Sequence, residues 1–192
     1  ESPYANPLYA QSATPLRERH ERPENPSNPT HGEPGVEKYP YVATTYRLTE
    51  HHTAGGMSRT GPYLSELQPA MFVEVDPELA EKEGLVHGGW ATIYSPRAAI
   101  EARVLVTDRI KPIVVAGRKT HQIGLPYHWG SRGLTTGGSA NDLISMVLDP
   151  NVHIMESKAF SLGIRPGRRP RGKQLTEFVE NTRDRADEER KP

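Results

Sequence analysis

The sequence predicts a mainly β domain with short helices, closed into a barrel of about six strands. Three observations carry that expectation. Six short runs between residues 42 and 164 either alternate apolar with polar residues or are rich in β-branched side chains. Only two segments within that span carry helix start and stop signals. Turn-formers are abundant, with 18 prolines and 17 glycines in 192 residues, while hydrophobic residues make up 34%. Connections must therefore be many and the core small.

Residues 1–38 read as a Pro-rich arm, and the first 40 residues hold eight prolines. The stretch Arg22-Pro23-Glu24-Asn25-Pro26-Ser27-Asn28-Pro29 propagates neither a helix nor an interior strand, because proline lacks the amide donor that both require. Such an arm is expected to lie extended along a partner surface; a plain linker is the alternative. The barrel domain follows over residues 39–165, with strands expected at 42–46, 71–75, 90–95, 100–107, 113–116 and 160–164. Asp76-Pro77-Glu78 opens a short helix that stops at Gly84: an acid at the N-cap, proline in the first turn, glycine past the end. Gly88-Gly89 turns the chain into the next strand. A second helix is expected over 139–148, with Ser139 as N-cap and Asp149-Pro150 as stop. Residues 166–192 form a charged tail. It begins in the basic run at 165–173, and from Gln174 it suits a helix with Leu175, Phe178 and Val179 as a narrow apolar stripe.

Composition excludes several functions. Formal net charge is zero, which argues against a general nucleic-acid binder, since that needs a basic surface to displace counterions. No apolar run approaches the roughly 20 residues that cross a bilayer. The chain opens on Glu1-Ser2-Pro3 with neither an initiating Met nor a secretory pattern, as a processed product or a segment of a longer one would. With no cysteine, disulfides, zinc–thiolate sites, iron–sulfur ligation and a cysteine nucleophile are all excluded within the chain. No triad, paired catalytic carboxylates or metal-ligand spacing stands out, so no catalytic residue and no metal ligand is assigned.

Three polar segments remain. Tyr46-Arg47-Leu48-Thr49-Glu50-His51-His52-Thr53-Ala54-Gly55-Gly56-Met57-Ser58-Arg59 can bring amides, hydroxyls and two guanidinium forks to one anion, or can be a solvated loop. His51 and His52 are poor metal candidates, because adjacent residues point apart on an extended chain. His121-Gln122-Ile123-Gly124-Leu125-Pro126-Tyr127-His128-Trp129-Gly130 places aromatic rings and an amide where they can flank a heterocycle or fill a barrel end. Gly133-Leu134-Thr135-Thr136-Gly137-Gly138-Ser139-Ala140-Asn141-Asp142-Leu143 leads into a helix N-terminus suited to phosphate, though a plain serine cap explains it equally. It is neither a P-loop nor the dinucleotide fingerprint of wound α/β folds. The basic run at 165–173 can steer an anion, seat a partner or be a solvated surface.

Taken together, these segments resemble the C-terminal domain of formate dehydrogenase catalytic subunits, in the family of bis-molybdopterin guanine dinucleotide oxidoreductases. The resemblance runs from about Tyr41 to Ile164. It rests on Tyr46-Arg47-Leu48-Thr49-Glu50-His51-His52-Thr53, on Glu66-Leu67-Gln68-Pro69 with Phe72-Val73-Glu74-Val75, on the block from His121 to Gly130, and on Ala140-Asn141-Asp142-Leu143 followed by Glu156-Ser157-Lys158-Ala159-Phe160. It implies a six-stranded double-psi β-barrel. It also implies cofactor contacts from His51, His52 and Thr53, with Arg47 near them, from Gln122, Tyr127 and His128, from Asn141 and from Lys158. Some relatives carry an aromatic residue where this chain has Ser157, so a stacking contact there is not implied.

The implied reaction is formate oxidation to carbon dioxide or its reverse, on a bis-molybdopterin guanine dinucleotide holding Mo or W. The metal ligand, the catalytic residues and the [4Fe-4S] clusters are implied in companion parts. Implied partners are the remainder of the catalytic subunit and an iron–sulfur electron-transfer subunit. The subtype implies a periplasmic location, with a cytoplasmic one as the alternative. Two other readings are a non-catalytic barrel module binding a protein partner, and the same domain in an enzyme for nitrate or a sulfoxide.

Overall fold

A computed structural model describes residues 39–115, 117–144, 154, 155 and 157–188. The arm expected over 1–38 lies outside the described residues. Six strands close into a barrel in the order β1 (Tyr41–Tyr46), β7 (Gln122–Pro126), β2 (Phe72–Val75), β4 (Ala99–Val106), β3 (Trp90–Tyr94) and β8 (Phe160–Pro166). β1 with β7 and β2 with β4 are parallel; the other four pairings are antiparallel. This is the six-stranded double-psi barrel that the resemblance implies. Closure leaves no open edge among these strands.

Side chains two apart along each strand fill the interior: Tyr41 and Ala43, Val73 and Val75, Ala91 and Ile93, Ile100, Ala102 and Val104, Ile123 and Leu125, Leu162 and Ile164. That spacing is the two-residue period of a pleated strand, and it is why the alternation was readable. The helix over Pro77–Glu83 (α2) forms as expected. The Asp76 carboxylate accepts from the Leu79 amide at 3.0 Å, and Gly84 ends the helix in the left-handed region at φ 67°.

Two expectations are corrected. The run at 113–116 is not a barrel stave: β5 (Ile113–Val115) pairs only with β6 (Arg118–Thr120) in a separate hairpin. The sixth stave is β7, within the aromatic block. Its Gly124 and Pro126 weaken the local strand signal. Gly124 is there because a Cβ would stand 2.3 Å from Ile110 Cδ1 and 2.9 Å from Tyr46 Cε1. The helix expected over 139–148 is a 3-10 turn over Ala140–Leu143. Leu143 and Ile144 are both buried, Ile144 is extended, and Arg97 donates to its carbonyl at 2.6 Å. The extended backbone at Ile144 ends the turn there. Residues 145–150 lie outside the described residues.

The tail helix (α3) spans Lys173–Glu188, and its stripe packs on the barrel: Phe178 meets Tyr94 edge to face at 5.4 Å, and Val179 is buried. A further short helix (α1, Pro62–Leu67) follows β1. No helix among the described residues is long and apolar enough to cross a membrane.

Candidate functional site

Parallel pairing sets the C-terminal ends of β1 and β7 side by side, Tyr46 opposite Pro126. The polar loops that follow them therefore leave from one rim. Antiparallel pairing brings the start of β8 to the same rim, where the Thr45 hydroxyl donates to the Ser157 carbonyl at 2.8 Å and the Lys158 ammonium donates to the Thr45 carbonyl.

Tyr127 is the centre of this rim. Its hydroxyl accepts from Arg47 Nε at 2.5 Å, and its ring lies 5.5 Å from the Arg47 guanidinium and 5.7 Å from the Lys158 ammonium. Cations beside an aromatic face are held by the ring quadrupole. Behind Tyr127, the fully buried His128 ring stacks at 5.2 Å with 20° between the planes. His128 Nε2 accepts from the Leu48 amide at 2.7 Å, so it carries no proton. Nδ1–H donates to the Thr53 carbonyl at 2.5 Å. Burial pushes the pKa of this imidazole below its ordinary value. The ring is neutral, in one tautomer, and it fixes both ends of the 48–53 segment.

The two adjacent histidines divide their tasks. His51 is buried: Nε2 donates to the Gln68 carbonyl at 2.9 Å, and Nδ1 faces the Ser58 hydroxyl at 3.1 Å. Both ring nitrogens are committed to protein. His52 is exposed, as is Thr53, which adopts φ 50°. A positive φ at a β-branched residue is held only where the surroundings dictate it. Here the carbonyl of Thr53 is fixed by His128, and the residue is held exposed beside the rim.

Arg59 departs from its sequence expectation as a fork for a ligand. It is buried, and it donates to the His128 carbonyl at 2.8 Å, to the Thr135 carbonyl at 2.9 Å and to the Arg132 carbonyl. Burial lowers its pKa. The guanidinium thus joins the 47–60 loop to the 127–143 loop. Two glycines make room for it: a Cβ on Gly55 or Gly133 would stand 3.1 or 2.9 Å from the Arg59 side chain.

Asn141 is exposed on the 3-10 turn, whose preceding Gly138 lies against Ile100 near the start of β4. β4 begins at the rim that β2 shares with the end of β7. With only four residues, the turn lacks the helix dipole that would suit a phosphate, and the alternative of a plain serine cap is what forms: the Ser139 hydroxyl accepts from the Asn141 amide. Gln122 stands apart, at the opposite end of β7, where its amide donates to the Lys111 carbonyl at 2.7 Å. The structure therefore gathers Arg47, His51, His52, Thr53, Tyr127, His128 and Lys158 at one rim, with Asn141 on the same end of the barrel, and leaves Gln122 at the other end.

Beside the Asn141 turn lies a cleft of about 650 Å³, between the 130–139 segment and the basic run. The run is fastened there by Glu101, which accepts from Arg168 at 2.7 Å, Arg171 at 2.6 Å and the Arg169 amide at 3.0 Å. Burial pushes the Glu101 carboxyl up, but these three donors more than offset it and hold its pKa below the usual value.

The chain is thus a double-psi barrel that gathers two cations and two aromatic rings at one rim. Comparison with known proteins narrows the class. The Molydopterin dinucleotide binding domain family matches residues 41–161, and the chain belongs to that family. Similar proteins include the formate dehydrogenase subunit alpha of Megalodesulfovibrio gigas, 40% identical over 128 residues. The alpha subunit of formate dehydrogenase 2 (cytochrome c-553) from Nitratidesulfovibrio vulgaris is 42% identical over 128 residues, and the nitrate-inducible major subunit of Escherichia coli is 41% identical over 130 residues. These matches cover 66–67% of this chain but only 12–13% of each relative. The chain spans about an eighth of the length of the curated relatives it matches. In fold it is similar to acetylene hydratase from Pelobacter acetylenicus, with TM-score 0.54 and 14% identity over 68% of this chain and 19% of that one.

Proposed function

We propose that this chain closes over a bis-molybdopterin guanine dinucleotide cofactor as one part of a formate dehydrogenase. The observation that carries the reading is the Arg47–Tyr127–Lys158 cluster, with exposed His52 and Thr53 beside it. Its chemistry fits the group. A pyrophosphate is an anion rich in acceptors, and the rim offers a guanidinium, an ammonium and donors from one loop. The planar Tyr127–His128 pair suits the flank of a heterocycle.

Roles follow from exposure. Arg47, His52, Thr53, Tyr127 and Lys158 contact the cofactor directly; His51, His128 and Arg59 hold their loops in place. Asn141 offers an amide from the neighbouring turn, and Gln122 has no part in the site. When bound, the cofactor's metal, Mo or W, supplies two-electron exchange between formate and carbon dioxide. The ligand to that metal, the [4Fe-4S] clusters and an electron-accepting iron–sulfur subunit belong to companion parts of the complex. What this chain contributes is orientation and hydrogen bonding of the organic ligand.

The test is pterin retention in the purified complex. Thr53→Val and Asn141→Ala are each expected to lower pterin content several-fold while shifting the melting temperature by no more than about 2 °C, because both sites are exposed. Full pterin content and full formate-dependent dye reduction in both variants would refute the reading.

A further inference from the structure

Helix α1 is built inside out. Of its six residues, only Ser65 is buried. Tyr63 is 80% exposed, Leu67 69% and Leu64 38%, and Met57, on the turn leading into the helix, is 76% exposed. Residues three and four apart share a helix face, so Tyr63, Leu64 and Leu67 lie together. An ordinary surface helix turns such a stripe inward. This one is held by polar contacts instead: the Ser65 hydroxyl donates to the Arg59 carbonyl at 3.1 Å, and the Gln68 carbonyl accepts from buried His51 at 2.9 Å. These are the groups that fix the cofactor rim, so the apolar face is rigidly joined to the site.

We infer that the face formed by Tyr63, Leu64 and Leu67 with Met57 is the seat of the remainder of the catalytic polypeptide, taken through an uncharged apolar surface beside the cofactor. The inference rests on the reading under Proposed function. Three observations choose this occupant. The matched unit is 13% of those relatives, so on the reading under Proposed function a much larger body of chain meets it. The face borders the rim at which that body would present the cofactor. Four side chains offer less than the roughly 800 Å² per partner that a stable pair of separate copies buries, so the patch suits one part of a larger seat rather than a dimer of this barrel. Within α1 the one charged residue is Glu66, so the surface that meets it is apolar rather than basic or acidic.

The experiment places the photo-crosslinker benzoylphenylalanine at position 63 in the full complex. The crosslinked peptide is identified by mass spectrometry, and pterin is assayed in the same preparation. The expected product joins position 63 to a peptide from the remaining catalytic polypeptide. A product with an iron–sulfur subunit, a product with a second copy of this barrel, or no product at all each overturns the inference. Pterin content keeps the two readings separate: pterin present without the expected crosslink sinks this inference alone, whereas a complex without pterin sinks the functional reading. As a second arm, Tyr63→Asp with Leu67→Asp is expected to weaken pterin retention roughly tenfold, since about 1.4 kcal/mol of lost apolar contact is one decade in affinity. Val114→Asp, equally exposed but on the β5–β6 hairpin, is expected to leave retention unchanged. Equal behaviour of the two variants overturns the inference.

Discussion

At Gly55 the backbone runs at φ 76°, and a Cβ there would stand 1.9 Å from the His128 carbonyl oxygen. The glycine is what lets the 47–60 loop lie flush against the aromatic block. Gly55→Ala combines a left-handed backbone with a steric overlap, and is expected to cost at least about 2 kcal/mol, read as a lowered denaturation midpoint. His128 gives a pH test. Its folded pKa lies below its unfolded value near 6.5, so the unfolded chain binds the proton more readily. Stability is therefore full above about pH 6.5 and declines as pH falls below it. The physical reason is direct: a protonated Nε2 cannot accept from the Leu48 amide. His128→Asn keeps one donor and one acceptor without titrating, and denaturation midpoints between pH 8 and pH 5.5 should vary less in that variant than in the parent. The polar loops were legible in the sequence. Which of their side chains face a ligand and which face the protein was not. His51 and Arg59 have the same chemistry as His52 and Arg47; only burial separates their tasks.

At the scale of elements, local signals were read well and pairing was not. The Asp76 cap, the proline after it and Gly84 are neighbours in sequence, so the short helix could be placed from the chain alone. The β-branched run at 113–115 has strand propensity, but propensity names no partner, and the run pairs with 118–120 rather than entering the barrel. β7 was hidden by Pro126 and by Gly124, the latter required by the close approach of Ile110 and Tyr46. The basic run reads in sequence as an anion site, a partner's seat or a solvated surface; its fastening to Glu101 is visible only in three dimensions. That fastening is also testable. Glu101→Gln removes the charge that gathers Arg168 and Arg171, and should speed amide exchange at 173–182 in keeping with a loss of about 1–3 kcal/mol. Acid should act in the same direction. The Glu101 pKa is held down in the fold, so its contribution is complete above the ordinary carboxylate range and is lost as pH falls through the lowered folded value. Exchange at 173–182 that is equal in variant and parent would show that the apolar contacts of Phe178 and Val179 suffice.

For the molecule as a whole, the barrel's main consequence is to bring loops 75 residues or more apart in sequence onto one rim. Arg47 and Tyr127, Thr53 and His128, and Thr45 and Lys158 are all joined there by hydrogen bonds. A rim so arranged binds a large anion only if the anion supplies what the rim lacks, namely acceptors for Arg47 and Lys158 and a plane for the Tyr127–His128 pair. The most direct measurement is pterin and guanine nucleotide released by acid from the purified complex, compared between the parent and a variant carrying Arg47→Met and Lys158→Met together. The account predicts both compounds in the parent and a loss of most of each in the variant, with the barrel still folded. Equal amounts in parent and variant, or none in the parent, would contradict it.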